Sequence, residues 1–294
     1  MKLYAPGYYQ KFKCIADRCR HSCCVGWEIG VDDATLSRWE GASLRGADLL
    51  SAVGEEHTIS LTPEGRCPFL NSSGLCDIIC AYGESATPVI CREHPRFYVR
   101  SGDRVELGIG AVCEEACRLI LTESALPFVR IGEREWDDDG GEYDAAGHRE
   151  RILYSILSAD LSYARVIDEL LRDYSIPRDA INPTALSECI SELELLREED
   201  RGVLLSAGRA VWAECYLRRF LVYLVCRHLP ESDSEENLRA RLAFCILLTS
   251  MLEGAASKTP DFSDLLLAAR TISEEIEYSE DNTDALIFEL ECRI

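Results

Sequence analysis

The chain has 294 residues, of which 47% are apolar and 28% are charged, a composition typical of a folded globular protein and not of a disordered one. Its formal net charge of −21 argues against nucleic acids and anionic membranes as partners, because binding to both depends on Lys and Arg side chains. The first residues lack the apolar segment of a secretory signal, and the apolar runs are too short to cross a bilayer. We therefore expect a soluble, cytoplasmic protein without membrane spans.

Short elements are predicted for the first part of the chain. Asp32 or Asp33 is suited to cap a short helix that runs to about Glu40. Residues 97–100 and 104–107, joined by Ser-Gly-Asp, predict a small β-hairpin. A further helix is predicted to begin at Cys113, with two glutamates in its first turn.

The acidic stretch Asp137–Glu142 has no hydrophobic period and predicts a loop or linker. After it, apolar residues recur at helical spacing in 182–196, in about 203–228, after a possible capping box at Ser232 and Glu235, and after Thr259-Pro260. We therefore predict a mainly α protein with three parts. These are an irregular cysteine-rich metal-binding domain with the hairpin (1–131), an acidic linker (132–146) and an α-helical bundle (147–294).

Cysteine is unusually abundant, with 15 residues, an odd number. A disulfide framework is not expected in a reducing cytosol, and cysteines at this density usually indicate metal binding. Ten of them lie in the first 117 residues. The other five lie mainly on apolar helix faces, where cysteine behaves as a small hydrophobic residue, and we expect them in the core: Cys189, Cys215, Cys226, Cys245 and Cys292.

The most informative motif is Cys14-x4-Cys19-x3-Cys23-Cys24, and Cys67, Cys76, Cys91 and Cys113 form a second group. Thiolates are soft ligands and suit zinc or iron–sulfur clusters. Two adjacent cysteines do not easily serve one ion, so one of the pair either packs against the protein or reaches a second metal. This irregular spacing fits a zinc ribbon poorly and favours a cluster.

These motifs resemble the flagellin lysine-N-methylase family and the related CxxCxxCC group of metal-binding proteins. The resemblance is carried by FKCIADRCRHSCCVGWEIGVDDATL, GRCPFLNSSGLC, CREHPRF and CEEACRLIL and covers about residues 10–125. It implies a [4Fe–4S] cluster and methyl transfer from S-adenosylmethionine to lysines of flagellin. Carried over by position, the metal ligands are Cys14, Cys19, Cys23, Cys24, Cys67, Cys76, Cys91 and Cys113.

The chain also departs from this family. Cys80 and Cys117 stand where other residues are expected, which leaves open a second metal site or core packing, and His94 replaces an aromatic residue. The sequence contains neither a GxGxxG motif after a strand nor the CxxxCxxC loop of radical enzymes, since Gly26 takes the place of the third cysteine.

A lysine methylase needs a group that takes up the lysine proton and a group that binds the methyl donor. Among the polar residues that flank the cysteines, His94, Arg96 and Tyr98 are the predicted catalytic residues, and Glu28 and Arg96 are predicted to bind the cofactor. The alternative is a non-catalytic zinc or iron protein with a structural, metal-handling or redox role, in which thiolate–metal bonds stabilise a loop-rich fold.

Overall fold

The structure is a computed structural model that describes residues 1–136, 143, 145–206, 213–255 and 261–294. In these residues helices predominate over strands, which confirms the predicted mainly α class. The strands are β1 (Lys2–Pro6), β2 (Ser43–Leu44), β3 (Ala47–Asp48), β4 (Arg96–Ser101), β5 (Arg104–Ile109) and β6 (Phe128–Glu133). The α-helices are α1 (Asp33–Trp39), α2 (Asp77–Tyr82), α3 (Val89–Glu93), α4 (Glu114–Thr122), α5 (Ala146–Leu157), α6 (Tyr163–Asp173), α7 (Ser187–Glu192), α8 (Arg201–Leu204), α9 (Glu214–His228), α10 (Glu235–Gly254), α11 (Phe262–Ile272) and α12 (Glu280–Arg293).

Contacts between residues divide the chain into two units. The cysteine unit consists of Lys13–Arg96 and Cys113–Glu115. The helical unit consists of Met1–Phe12, Phe97–Val112 and Ala116–Ile294. This division differs from the sequence-based boundaries at residues 131 and 147, because β1, β4, β5 and β6 form one sheet within the helical unit. The central part of the predicted linker, residues 137–142, lies outside the described residues.

The sheet of the helical unit has the strand order β4-β5-β1-β6. The predicted hairpin is confirmed as β4 and β5, with Gly102 at a φ of 61° in the turn, a conformation that glycine adopts without strain. Strand β1 pairs in parallel with β5 and antiparallel with β6, for example Ala5 with Val129. The N-terminal strand thereby connects two segments that are about a hundred residues further along the chain.

Helices α9 and α10 bury more side chains than any other helix in the described residues. In α10, Leu238, Leu242, Cys245 and Leu252 are buried as their spacing predicts. The helix begins at Glu235 after the N-cap Ser234, two residues after the predicted cap. Among the described helices, none combines the length and the hydropathy required to cross a bilayer.

The predicted long helix over 182–196 is wrong in its extent, because only Ser187–Glu192 is helical. The amide of Glu194 donates to the Asn282 side chain (3.2 Å), and the amide of Leu196 donates to Glu275 (2.7 Å). These side-chain acceptors replace the carbonyls that a continuing helix would offer, so the chain leaves the helix at Leu193.

The cysteine unit is built from short elements and turns around a small apolar core. Helix α1 begins as predicted, with Asp32 as N-cap accepting from the amide of Thr35 at 3.0 Å. Trp39 is 1% exposed, packs edge-on against Phe69 and donates from Nε1 to the carbonyl of Ala86 at 2.8 Å. The buried core residues are Ile29, Val31, Trp39, Leu49, Ile59, Cys67, Phe69, Ile78 and Ala86.

Candidate metal centre

All eight cysteines of the motifs lie in the cysteine unit. Seven belong to its continuous part, and Cys113 joins them from a separate segment of three residues. None of the fifteen cysteines forms a disulfide bond in the structure. The structure therefore brings together in one unit the thiols that the sequence places in two groups, and leaves their sulfurs available as metal ligands.

The first arrangement, here named the Cys24 group, consists of Cys24, Cys67, Cys76 and Cys91. The amide of Cys67 donates to the carbonyl of Cys24 at 2.8 Å, next to a β-bridge between Val25 and Arg66. The turn after Cys67 returns the chain so that Leu70 forms a bridge with Cys76. Cys67 is part of the apolar core, and both Cys24 and Cys76 pack against it. Three of these thiols are thus held at the edge of one hydrophobic cluster.

Cys91, the fourth member of the Cys24 group, lies on helix α3. The first amide of that helix, from Val89, donates to the Asp32 carboxylate at 2.9 Å, which ties α3 to the start of α1. Desolvation of the sulfur, followed by the negative charges of the other three members, raises the pKa of the Cys91 thiol to about 12. The four sulfurs are therefore close enough to act on one another electrostatically.

The second arrangement, here named the Cys23 group, consists of Cys14, Cys19, Cys23 and Cys113. Its organising residue is Glu114, whose carboxylate accepts from the Arg20 amide at 2.8 Å and from Arg20 Nε at 3.0 Å. The same carboxylate accepts a weak hydrogen bond from Cys19 Sγ at 3.8 Å. Burial of Glu114 opposes its ionisation, but the bonds from Arg20 outweigh burial and lower its pKa. Glu114 thereby holds its neighbour Cys113 beside the loop of the first motif.

Cys23 and Cys24 share a hydrogen bond between their side chains. This bond lowers the pKa of Cys24. It raises the pKa of Cys23, and desolvation of the Cys23 sulfur and the charges of Cys24, Cys14 and Cys113 act in the same direction, although the residue as a whole is exposed. Of the two thiols, Cys24 ionises more readily, and metal ligation requires the ionised form.

The cysteines outside the eight motif positions differ from one another in burial. Cys80 is exposed and lies one turn after Cys76 on α2. Cys117 belongs to the helical unit, is fully buried and donates to the carbonyl of Leu266 at 3.8 Å, so it packs in the helical core. Of the five late cysteines, Cys226 and Cys245 are buried as predicted. The core prediction is wrong for the exposed Cys215 and Cys292, and Cys189 is half-buried.

The predicted catalytic and cofactor-binding residues are distributed over both units. His94, Arg96 and Glu28 lie in the cysteine unit, and Tyr98 lies in the helical unit. Glu28 is exposed, and Arg96 donates from Nη1 to the carbonyl of Arg92 at 2.9 Å. The ring of Tyr98 lies under the guanidinium of Arg134 at 3.7 Å. Burial, and then the charge of Arg96, lower the pKa of His94 to about 4, so its imidazole is neutral at pH 7.

A group of potential metal ligands that the sequence did not indicate lies in the helical unit. In the described part of the chain, the group whose donor atoms lie within 4.8 Å of one another is Asp200, Glu274 and Glu275. Arg197 forms ion pairs with Asp200 and Glu274, and Arg270 pairs with Glu274 at 2.8 Å. These guanidinium groups supply the positive charge that a bound metal cation would supply, so the cluster is an internal ion-pair network.

The chain is similar to three curated proteins over part of its length. A lysine-N-methylase of Salmonella typhimurium is 25% identical over 131 residues, which are 40% of this chain and 32% of the relative. The lysine-N-methylase of Salmonella choleraesuis shows the same identity and coverage. The flagellar biosynthetic protein FliU of Salmonella muenchen is 23% identical over 146 residues, which are 44% of this chain and 82% of the relative.

The chain therefore matches about a third of the length of the lysine-N-methylases, at a level that indicates distant relationship. No family model matches the chain, and no solved structure matches it.

Proposed function

We propose that the chain is an iron–sulfur protein that methylates lysine side chains of a protein substrate of the flagellin type, with S-adenosylmethionine as the methyl donor. The observation that carries the metal-binding part is the assembly of eight motif cysteines in one small unit. The similarity to lysine-N-methylases and to a flagellar biosynthetic protein supports the methyltransferase activity and the class of substrate.

The residues of the cysteine unit fit a thiolate-bound cluster. The donor set consists of sulfur atoms, which select zinc or iron–sulfur groups over hard cations. A single zinc ion would hold its four sulfurs about 3.8 Å apart, as follows from a zinc–sulfur bond of about 2.3 Å. The irregular spacing of the cysteines along the chain supports an iron–sulfur cluster over a zinc ribbon.

Methylation sets two requirements for the residues of this chain. The lysine must lose its proton so that its nitrogen can attack the methyl group, while the carbon–sulfur bond breaks and its electron pair stays on sulfur. Arg96 would bind the carboxylate of the methyl donor, and the exposed Glu28 would bind its ammonium group. When bound, an iron–sulfur cluster supplies a redox-active iron centre.

Among the predicted catalytic residues, His94 is suited to a limited role. With a pKa of about 4, its imidazole is a weak base at neutral pH, because a general base works best when its pKa lies near the working pH. We propose that the neutral ring accepts a hydrogen bond from the lysine ammonium and orients it, and that the proton leaves to water.

The proposal is tested with protein purified without oxygen, incubated with purified flagellin and S-adenosylmethionine labelled in its methyl group. We expect label on flagellin lysines for the wild type and for Cys80→Ser, and loss of label together with loss of bound iron for Cys76→Ser. Cys76 and Cys80 are a matched pair, since Cys76 is the N-cap of α2 and Cys80 lies one helical turn later in the same helix. Iron-loaded protein that labels no lysine would contradict the methylase part of the proposal.

A further inference from the structure

We infer that the cysteine unit holds two separate thiolate metal centres, one on the Cys23 group and the other on the Cys24 group. The inference rests on the metal-binding part of the proposed function and does not depend on the methylation. One four-coordinate ion or one four-iron cluster uses four cysteine ligands, and the unit contains eight motif cysteines, twice that number, in addition to Cys80.

The adjacent pair Cys23 and Cys24 is the point at which the two groups separate. Cys24 is half-buried and packs against the apolar core, whereas Cys23 is exposed. The backbone of Cys24 is fixed by its hydrogen bond with Cys67, a member of its own group. Two consecutive residues with such different surroundings are suited to direct one thiol to each centre.

The hydrogen bonds and bridges around the thiols follow the same division. Cys19 Sγ lies 3.8 Å from the Glu114 carboxylate, and Glu114 directly follows Cys113. Cys76 forms its bridge with Leu70, three residues after Cys67, and the amide of Cys67 donates to the carbonyl of Cys24. The two sets meet at the adjacent residues Cys23 and Cys24.

The two groups also differ in their surroundings, which gives the centres different exposure to solvent. In the Cys23 group, Cys14 and Cys23 are exposed and the polar pair Glu114 and Arg20 completes the site. The Cys24 group has one exposed member, Cys91, includes the buried Cys67 and borders the cluster around Trp39. We therefore assign the more accessible, more rapidly exchanging centre to the Cys23 group and the more stable centre to the Cys24 group.

The test uses the full chain, purified without oxygen, and measures metal, sulfide and intact mass by native mass spectrometry. Two variants each remove two ligands, Cys14→Ser/Cys113→Ser from the Cys23 group and Cys67→Ser/Cys76→Ser from the Cys24 group, and Cys80→Ser is the control. We expect two centres in the wild type and in Cys80→Ser, and half of the metal in each double variant. In the wild type, a chelator is expected to remove the metal in two phases of equal amplitude, and the fast phase is expected to be missing from Cys14→Ser/Cys113→Ser.

Cys67 is in the core, so its variant is at risk of misfolding, and the wild type and the Cys23-group variant are sufficient to decide. A single centre in the wild type would overturn the inference and leave the proposed cluster intact. Loss of all metal, or of none, from Cys14→Ser/Cys113→Ser would overturn it as well, because the groups would then share one centre or the Cys23 group would bind nothing. A wild type without any metal would contradict the proposed metal centre itself.

Discussion

In the helical unit, helix α10 has 20 residues and buries twelve side chains, whereas α1 in the cysteine unit has seven residues and buries two. The helical unit is stabilised by burial of apolar surface along long helices. The cysteine unit consists largely of turns, isolated bridges and short helices around nine buried residues, and it contains eight motif cysteines. The comparison teaches that the same chain uses two sources of stability, apolar burial in one unit and, by our account, metal ligation in the other.

The largest effect is expected on removal of the metal. Structural thiolate metal sites contribute on the order of 10 kcal/mol to folding, so a chelator should unfold the cysteine unit and leave the helical unit folded. Hydrogen exchange measures this directly. Rapid exchange is expected at the amide of Cys67, which bonds to Cys24, while the buried amides of α10 stay protected. Equal protection of Cys67 with and without metal would show that the apolar core alone holds this unit.

Among single substitutions in the helical unit, one that breaks a buried ion pair is expected to cause a large loss of stability. Arg149 is 3% exposed and binds Glu106 with two hydrogen bonds, of 3.0 and 2.7 Å. Arg149→Met leaves a buried carboxylate without its main partner and should lower the free energy of unfolding by about 3–5 kcal/mol. The control is Arg104→Met, which removes the outer partner of Glu106 (2.6 Å) and should cost about 1 kcal/mol.

Urea unfolding followed by circular dichroism measures both variants, and neither should change the metal content. Metal loss in Arg149→Met would contradict the separation of the two sources of stability.

The carboxylate cluster of the helical unit, Asp200, Glu274 and Glu275, is expected to affect stability through protonation of Glu275 and not through metal binding. Burial raises the pKa of Glu275 to about 7, above the 4.5 of an ordinary glutamate. The folded chain then holds this proton more tightly than the unfolded chain, so stability falls as pH rises from about 4.5 to 7. The shift corresponds to at most about 3 kcal/mol. Glu275→Gln should remove this part of the pH dependence while its carbonyl still accepts from the Leu196 amide. The free energy of unfolding of the wild type and of Glu275→Gln is compared at pH 5 and pH 8. An unchanged pH dependence in the variant would contradict the role of Glu275.

The smallest effect is expected at Asp32, which links two short helices of the cysteine unit. Its carboxylate caps α1 and also accepts from the amide of Val89 on the helix that carries Cys91. Asp32→Ala should lower the free energy of unfolding by about 1–2 kcal/mol and increase hydrogen exchange at the Val89 amide. Asp32→Asn keeps a side-chain oxygen that accepts hydrogen bonds, so it should lose only part of this stability. Because the Val89 hydrogen bond is the main cause of the lowered pKa of Asp32, this contribution is lost as pH falls through that pKa. Unchanged exchange at Val89 in the alanine variant would exclude the link.

Sequence patterns predicted the elements whose signals are local. The Asp32 cap, the hairpin around Gly102 and the helix after Cys113 were all predicted, because capping and turn residues act within a few positions. The pairing of Lys2–Pro6 with two distant strands has no such local signal. The helix over 182–196 was extended too far, because side chains of Asn282 and Glu275, far away in sequence, take up its amides.

The candidate site was predicted in its residues but not in its arrangement. The spacing of the cysteines indicates metal binding, yet only the folded chain shows that Cys24 lies with Cys67 and that Cys19 lies beside Glu114, the neighbour of Cys113. The role of Arg20 in holding Glu114 also has no sequence signal, since the two are 94 positions apart. The exposed Cys215 was expected in the core because its helical spacing matches that of its buried neighbours.

The most direct test of the central claim is the iron and acid-labile sulfide content of the chain purified without oxygen, measured together with its visible absorption. Our account predicts a brown protein with nearly equal amounts of iron and sulfide. Cys80→Ser should contain the same amounts, and Cys76→Ser should contain less of both. A colourless protein that holds stoichiometric zinc, or no metal, and that does not take up iron and sulfide on reconstitution would contradict it.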